Sequence, residues 1–234
     1  MKNKVELLSP VGSMEALEKA VFNGANAVYL AGKSFGARAY ANNFSDQELI
    51  EAINFAHLYD VKVYVTVNTL IYENEISEVI SFLDLIYLNG VDAVIVQDLG
   101  LARIIKLRYP DIEMHASTQM NVQTLEEVLA LENLGFKRVV LGREVDLKEI
   151  KRIKENSNVE LEVFIHGALC VSYSGNCFMS SLIGQRSGNR GKCAQPCRME
   201  YTINNKTKYY FSTKDLCTLS NLKDILPSIF KLST

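Results

Sequence analysis

Between Val5 and Ile165, short apolar runs alternate with amphipathic stretches seven times, at a period of about 25–30 residues. That rhythm constrains the fold more than any other feature of the chain. The strand-like runs are Val5–Leu8, Ala27–Leu30, Val61–Val67, Ala93–Val96, Ile112–Ala116, Arg138–Leu141 and Val159–Ile165. Helical patterns fill the gaps. One follows Ser13, which has the chemistry of an N-cap, and one runs from the capping box Ser45-Asp-Gln-Glu48 to about Tyr59. The others are Glu75–Leu88, Leu99–Arg108, Thr124–Leu134 and Asp146–Glu155. Apolar strands separated by amphipathic helices specify a parallel sheet covered by helices.

Such a sheet is either open and doubly wound or closed as a barrel. Polar residues decide between them. Asn68, Gln97, His115, Gln119, Arg143, Glu144 and His166 all fall at or just past strand C-termini. A barrel gathers those positions on one face, whereas an open sheet gathers few of them at a switch point. The turn after the first strand, Ser9-Pro-Val-Gly-Ser13, is no glycine-rich dinucleotide fingerprint. We therefore expect a TIM-barrel-like α/β fold with seven clear strand–helix units. No eighth strand is legible before the chain stops at Thr234, so the barrel is expected to be open there or closed by something irregular. Residues 1–167 form the barrel-like domain on this view. Residues 168–234 form a cysteine-rich segment, with a hairpin-like stretch at Tyr201–Phe211, packed on the barrel's C-terminal face.

A net charge of −2 argues against a global attraction to nucleic acid and leaves local patches open. The first twelve residues lack a secretory signal's apolar core, and no apolar run approaches the ~20 residues of a membrane helix. A cytoplasmic protein without membrane partners is the expectation, in a compartment where clustered thiols bind metal more often than they pair.

Thiols are what the second segment supplies. The first 169 residues contain no cysteine, and then Cys170, Cys177, Cys193, Cys197 and Cys217 arrive within 48 residues. The spacing C-x6-C is wider than the pairs of a zinc ribbon. An iron–sulfur cluster tolerates varied spacing because a cubane offers four separate iron corners. Gly175, Gly184, Gly188 and Gly191 suit a loop wrapped closely around a compact inorganic body. Iron–sulfur is preferred, with structural zinc as the alternative metal.

These residues also carry a resemblance. His166-Gly-Ala-Leu-Cys170, followed by Ser174-Gly175, Cys177 and Ser180 and preceded by Glu162 and Phe164, resembles the signature of the collagenase-like peptidases of unknown catalytic type. LLSPVGSMEAL, GANAVYLAG, HASTQMN, LGRE, GKCAQPCR and STKDLC match that family as well. The resemblance implies a 4Fe–4S cluster and oxygen-independent hydroxylation, with prephenate as the source of the hydroxyl group. The implied substrate is RNA, tRNA wobble uridine first, or a small aromatic ring such as a quinone. It implies Cys170, Cys177, Cys193 and Cys197 as ligands, with Cys217 competing for the fourth place. Some relatives act in pairs, so a homologous partner subunit is a further expectation, and so is a non-catalytic role for this chain within such a pair.

Around that centre, His115, Gln119, Arg143, Glu144 and His166 are the catalytic candidates, and Asn68, Gln97, Arg186 and Arg190 the substrate-binding ones. Histidine moves protons near neutral pH, and a guanidinium fork matches the carboxylates of a dicarboxylate donor. Arg186, Arg190, Lys192 and Arg198 interleave the cysteines, where they either offset cluster charge or bind phosphate. Tyr201, Tyr209, Tyr210 and Phe211 either stack bases or pack the hairpin. A peptidase is the competing activity. The chain has no H-E-x-x-H or G-x-S-x-G motif, and Cys170 as nucleophile with His166 as base would leave the other cysteines unexplained.

Overall fold

The computed structural model describes residues 6–37, 42–225 and 231–233, the last three by backbone alone. Arg38 and Tyr40, in the loop after the second strand, lie outside the described residues, as does most of the stretch leading to the last strand. The chain runs β1 (Glu6–Pro10), α1 (Met14–Phe22), β2 (Ala27–Ala31), α2 (Asp46–His57), β3 (Lys62–Val67), α3 (Ile76–Leu88), β4 (Ala93–Val96) and α4 (Leu99–Arg108). It continues with β5 (Glu113–Ala116), α5 (Leu125–Leu134), β6 (Arg138–Val140), α6 (Leu147–Asn156) and β7 (Glu160–Phe164). The expected caps are present: Ser13 accepts from the Ala16 amide, and Ser45 and Thr124 each complete a capping box.

After β7 come β8 (His166–Gly167), α7 (Met179–Gly184), β9 (Tyr201–Ile203), β10 (Lys206–Lys208), β11 (Leu216–Cys217), α8 (Leu222–Ile225) and β12 (Lys231–Ser233). The last of these corrects the expectation of a missing strand. β12 runs parallel between β7 and β1, with Lys231 opposite both Glu162 and Glu6, and the sheet closes in the order β1-β12-β7-β6-β5-β4-β3-β2. Three residues suffice because closure needs main-chain hydrogen bonds on both edges, which any L-residue supplies. No helix among the described residues is long and apolar enough to cross a membrane.

A strand alternates its side chains between two faces. On β3 and β4, Val63, Val65, Val67, Val94 and Val96 face outward and join one core with the helices. Leu8, Ala27, Tyr64, Ala93 and Ile95 face inward and form a separate cluster, with Tyr29 against it. The inward set is polar at the N-terminal end of the barrel. There the Tyr64 hydroxyl donates to Glu6 at 3.0 Å, and the Arg138 guanidinium lies 5.2 Å from the Tyr64 ring centre while pairing with Glu160. Burial pushes the Tyr64 phenol up. His115 belongs to this floor. Its ring meets Tyr64 edge-on at 4.7 Å, and its Nδ1 lies 3.5 Å from an Arg138 nitrogen that can only donate.

The cysteine segment is seated across the opposite end. Glu144, beyond β6, accepts from the Ser174 amide at 3.0 Å and from its hydroxyl. Gly175 (φ 78°) presses on the backbone beyond β5, where an added Cβ would fall 2.2 Å from the Gln119 oxygen. Asn189 donates to the Gly175 carbonyl. Arg190 reaches the loop beyond β3, donating to the Leu70 carbonyl at 2.7 Å, pairing with Glu75 and covering the Tyr72 ring at 4.5 Å. That guanidinium holds the Glu75 carboxyl below its usual range.

Two substitutions probe these contacts. Arg138→Ala leaves the half-exposed Glu160 without its partner and removes the cation from Tyr64, so urea unfolding should show a loss of about 1–3 kcal/mol. Gly175→Ala strains a left-handed residue, roughly 1–3 kcal/mol before the clash is counted, whereas an added Cβ at Gly184 meets nothing within 4 Å. Limited proteolysis should cut the cysteine segment faster in Gly175→Ala and at the wild-type rate in Gly184→Ala.

Candidate functional site

Between the barrel's C-terminal mouth and the seated segment lies a cavity of about 570 Å³. Its floor is the second inward layer, with Tyr29, Thr66, Ile95 and Glu162 among the lining residues. Its rim comes from strand ends, including Asn68, Gln119 and Arg143, and its roof includes Cys170, Gly175, Cys177 and Cys193. The sheet thus brings side chains far apart in sequence to one chamber, as the C-terminal face of a barrel does.

Of the expected site residues, Asn68, Gln119 and Arg143 line this chamber. Asn68 is held at both ends: its Oδ1 accepts from the Ala37 amide at 2.9 Å, and its Nδ2 donates to Ser117 Oγ at 3.2 Å. The Arg143 guanidinium lies 4.2 Å from the ring centre of Phe164, an arrangement that fixes its plane within the chamber wall.

Other candidates are placed elsewhere. His115 sits in the barrel floor, 1 % exposed and below the chamber, which removes it from contact with a bound molecule. His166 is exposed on β8, opposite Cys217 of β11, and does not line the chamber. Gln97 is buried beneath the rim. It donates to the Gln119 carbonyl at 3.3 Å, while its Oε1 has no hydrogen-bond partner among the described residues. Glu144 spends its carboxylate on Ser174 and therefore holds the roof in place. Arg190 is likewise a strut, and Arg186 donates to the Lys192 carbonyl at 3.0 Å within the segment.

All five cysteines are free thiols. Cys170 keeps an exposed surface yet sits in the chamber wall, where burial pushes its thiol up. The Ser172 amide opposes that shift, and Cys177, Cys197 and Cys193 are close enough to reinforce it. Four thiols therefore share one neighbourhood. Among the described residues, however, no group of three or more His, Cys, Asp or Glu side chains is arranged to hold a single metal ion. The loop carrying Cys193 is held by Ser180, whose Oγ accepts from the Ala194 amide at 2.9 Å, and the Gln195 amide donates to Cys193 Sγ at 3.3 Å.

Glu162 and Phe164 are the site residues that strand patterning should have exposed. In β7, Glu160–Phe164, Leu161 and Val163 pack outward, so Glu162 and Phe164 must point inward. Glu162 is a carboxylate only 4 % exposed. Ser174 and Asn189 carried no comparable signal, since their roles depend on how the segment folds back on the barrel.

Comparison with known proteins places this site in a family. A model described as Peptidase family U32 matches residues 12–231. The chain is 41% identical over 227 residues to the 23S rRNA 5-hydroxycytidine C2501 synthase of Escherichia coli (strain K12), covering 94% of this chain and 34% of that protein. It is 42% identical over 241 residues to an uncharacterized protease of Methanocaldococcus jannaschii (95% of this chain, 58% of that one). It is 38% identical over 200 residues to tRNA hydroxylation protein P1 of Bacillus subtilis (strain 168) (86% and 47%). The chain thus spans about a third to three fifths of the length of these relatives. A solved U32 peptidase shares the fold at a TM-score of 0.69 and 16% identity, over 99% of this chain and 92% of that one. With the family model covering nearly all of it, the chain belongs to peptidase family U32.

Proposed function

We propose that this chain is the core of an iron–sulfur enzyme that hydroxylates an RNA base without molecular oxygen. A tRNA uridine is the first candidate substrate and prephenate the hydroxyl donor. The observation that carries this reading is the chamber itself, which has thiols in its roof and an aromatic-backed guanidinium in its wall. Similarity to proteins named for rRNA and tRNA hydroxylation supports RNA as the substrate class.

Cys170, Cys177, Cys193 and Cys197 would hold a 4Fe–4S cluster. Their shared neighbourhood suits it: a tetrahedral zinc site needs sulfurs about 3.8 Å apart, as bond lengths near 2.3 Å require. A multi-iron cubane offers four separate iron corners and so takes a wider set of thiols. When bound, the cluster supplies one-electron transfer. Arg143 would bind a carboxylate of the donor through its fork, with Phe164 keeping that fork flat. Asn68 and Gln119 would meet polar edges of the base. Glu162, in the dry floor, is the carboxyl placed to hold or move a proton.

The competing peptidase activity rests on the names of other relatives, among them a collagenase of Porphyromonas gingivalis (strain ATCC BAA-308 / W83). A Cys170–His166 couple is its natural centre, and His166 stands outside the chamber.

Anaerobic purification should yield a brown protein with iron and sulfide in equal amounts and little zinc. A colourless chain that takes up no iron on reconstitution would sink the proposal. Cys197→Ala should lose the cluster and Cys217→Ala keep it; the reverse result would move the fourth ligand to Cys217. Mass spectrometry of tRNA and ribosomal RNA from a deletion strain should show one nucleoside lighter by an oxygen. Unchanged RNA would redirect the search to a small aromatic ring or to peptide release, and an iron-loaded chain inactive on every substrate would mark it as a partner subunit.

A further inference from the structure

The segment's hairpin has a surface that the chamber does not account for. Among the described residues β9 and β10 pair only with each other, with Ile203 opposite Lys206 and Tyr201 opposite Lys208. Asn204 and Asn205 turn the chain with φ of 51° and 59°, the left-handed pair that a tight two-residue hairpin requires. A lone two-stranded ribbon is marginal in water, and this one is fixed at its base. The Tyr201 hydroxyl donates to the Pro196 carbonyl at 3.0 Å, and the Tyr201 and Phe211 rings meet edge-on at 5.2 Å. Arg198 ties Ser212 to the Leu169 carbonyl, each at 3.0 Å. Leu169 precedes Cys170 of the chamber roof, so the ribbon's root and the chamber share a wall.

Beyond that root, every residue of β10 is exposed. Tyr209 is 59% exposed with its hydroxyl on the Glu200 carboxylate, and Tyr210 is 41% exposed with its hydroxyl donating to the Lys206 carbonyl at 3.0 Å, so both leave ring surface in water. Lys206, Lys208 and Lys214 enter no ion pair among the described residues, whereas Arg190 and Arg198 nearby each have an acidic partner. Residues 199–214 carry three lysines and one glutamate in a chain of net charge −2. Uncommitted cations interleaved with exposed rings are the recognition chemistry of a single nucleic-acid strand: phosphates meet the lysines, and bases stack on the rings whatever their sequence. A protein partner would favour an apolar, charge-poor centre.

We propose that the ribbon Tyr201–Lys214 is a binding platform for single-stranded RNA, which lays the strand along Lys206, Lys208 and the neighbouring Tyr210 and brings one nucleotide to the chamber beside Cys170. The assignment rests on the hydroxylation reading for the identity of its ligand, and the two can fail separately.

The test uses the full chain and a fluorescein-labelled single-stranded 12-mer RNA, with the matching duplex as competitor, followed by anisotropy across a salt series. Wild type should prefer the single strand. Lys206→Ala/Lys208→Ala should flatten the slope of log affinity against log salt by about 1.4, or ~0.7 per lost phosphate contact. Tyr210→Ala should weaken binding at least about fivefold with the slope unchanged. The pair Lys148→Ala/Lys151→Ala on α6 should change neither quantity, and circular dichroism should match wild type throughout. Hairpin variants that bind like wild type, a duplex bound as tightly as the single strand, or an equal effect from the α6 pair would each overturn the platform; the first would point to a protein contact instead. RNA binding that needs the hairpin, in a chain that takes up no iron, would leave the platform standing and overturn the hydroxylation reading. A chain that binds no RNA overturns both.

Discussion

Everything in this molecule depends on the two-residue period of a strand in a closed sheet. Each barrel strand must give one face to the helices, and those positions are filled by valine, leucine and alanine with little variation. Only the alternate positions are free to carry chemistry. They divide by height into a charged floor around Arg138, a mixed layer around Ile95 and Glu162, and a rim that opens to the segment above. The floor gives the lower end of the barrel a polar plug in which Tyr64 bonds to Glu6 and Arg138 pairs with Glu160, below the hollow upper layer.

The thiols make sense only with that hollow beneath them. Glu144, the Gln119 backbone and the Glu75 loop each hold one part of the segment, and the three come from the ends of different strands. Rigid attachment at separate points is what keeps a loop-borne group within reach of a chamber to useful accuracy.

Most of the scaffold was legible in the sequence because its signals are local. Apolar runs and capping boxes report on neighbours within a few residues, and the seven strands and the six helices between them lie where those signals put them. β12 was not legible because Lys231–Ser233 has no apolar pattern; its identity as a strand lies in hydrogen bonds to β1 and β7. The cysteines were legible as a group through their density. The division of labour among polar residues was not. His115 and Gln119 look equivalent in sequence, but strand parity and height send the first to the floor and the second to the rim. Arg190 looks like a phosphate ligand until Glu75, 115 residues away in sequence, takes up its charge.

The closing strand also sets a timetable. Since β12 bonds to β1 across nearly the whole length of the chain, the ring cannot be completed until Lys231–Ser233 has left the ribosome. A contact of that separation is entropically expensive and forms late. Until then the sheet has two open edges, and the cysteines, already synthesised, have no finished mouth to sit on. A seated set of thiols therefore follows closure of the ring by β12. A nascent chain stalled before residue 231 exposes unpaired strand edges, the kind of surface that associates wrongly before a fold is complete.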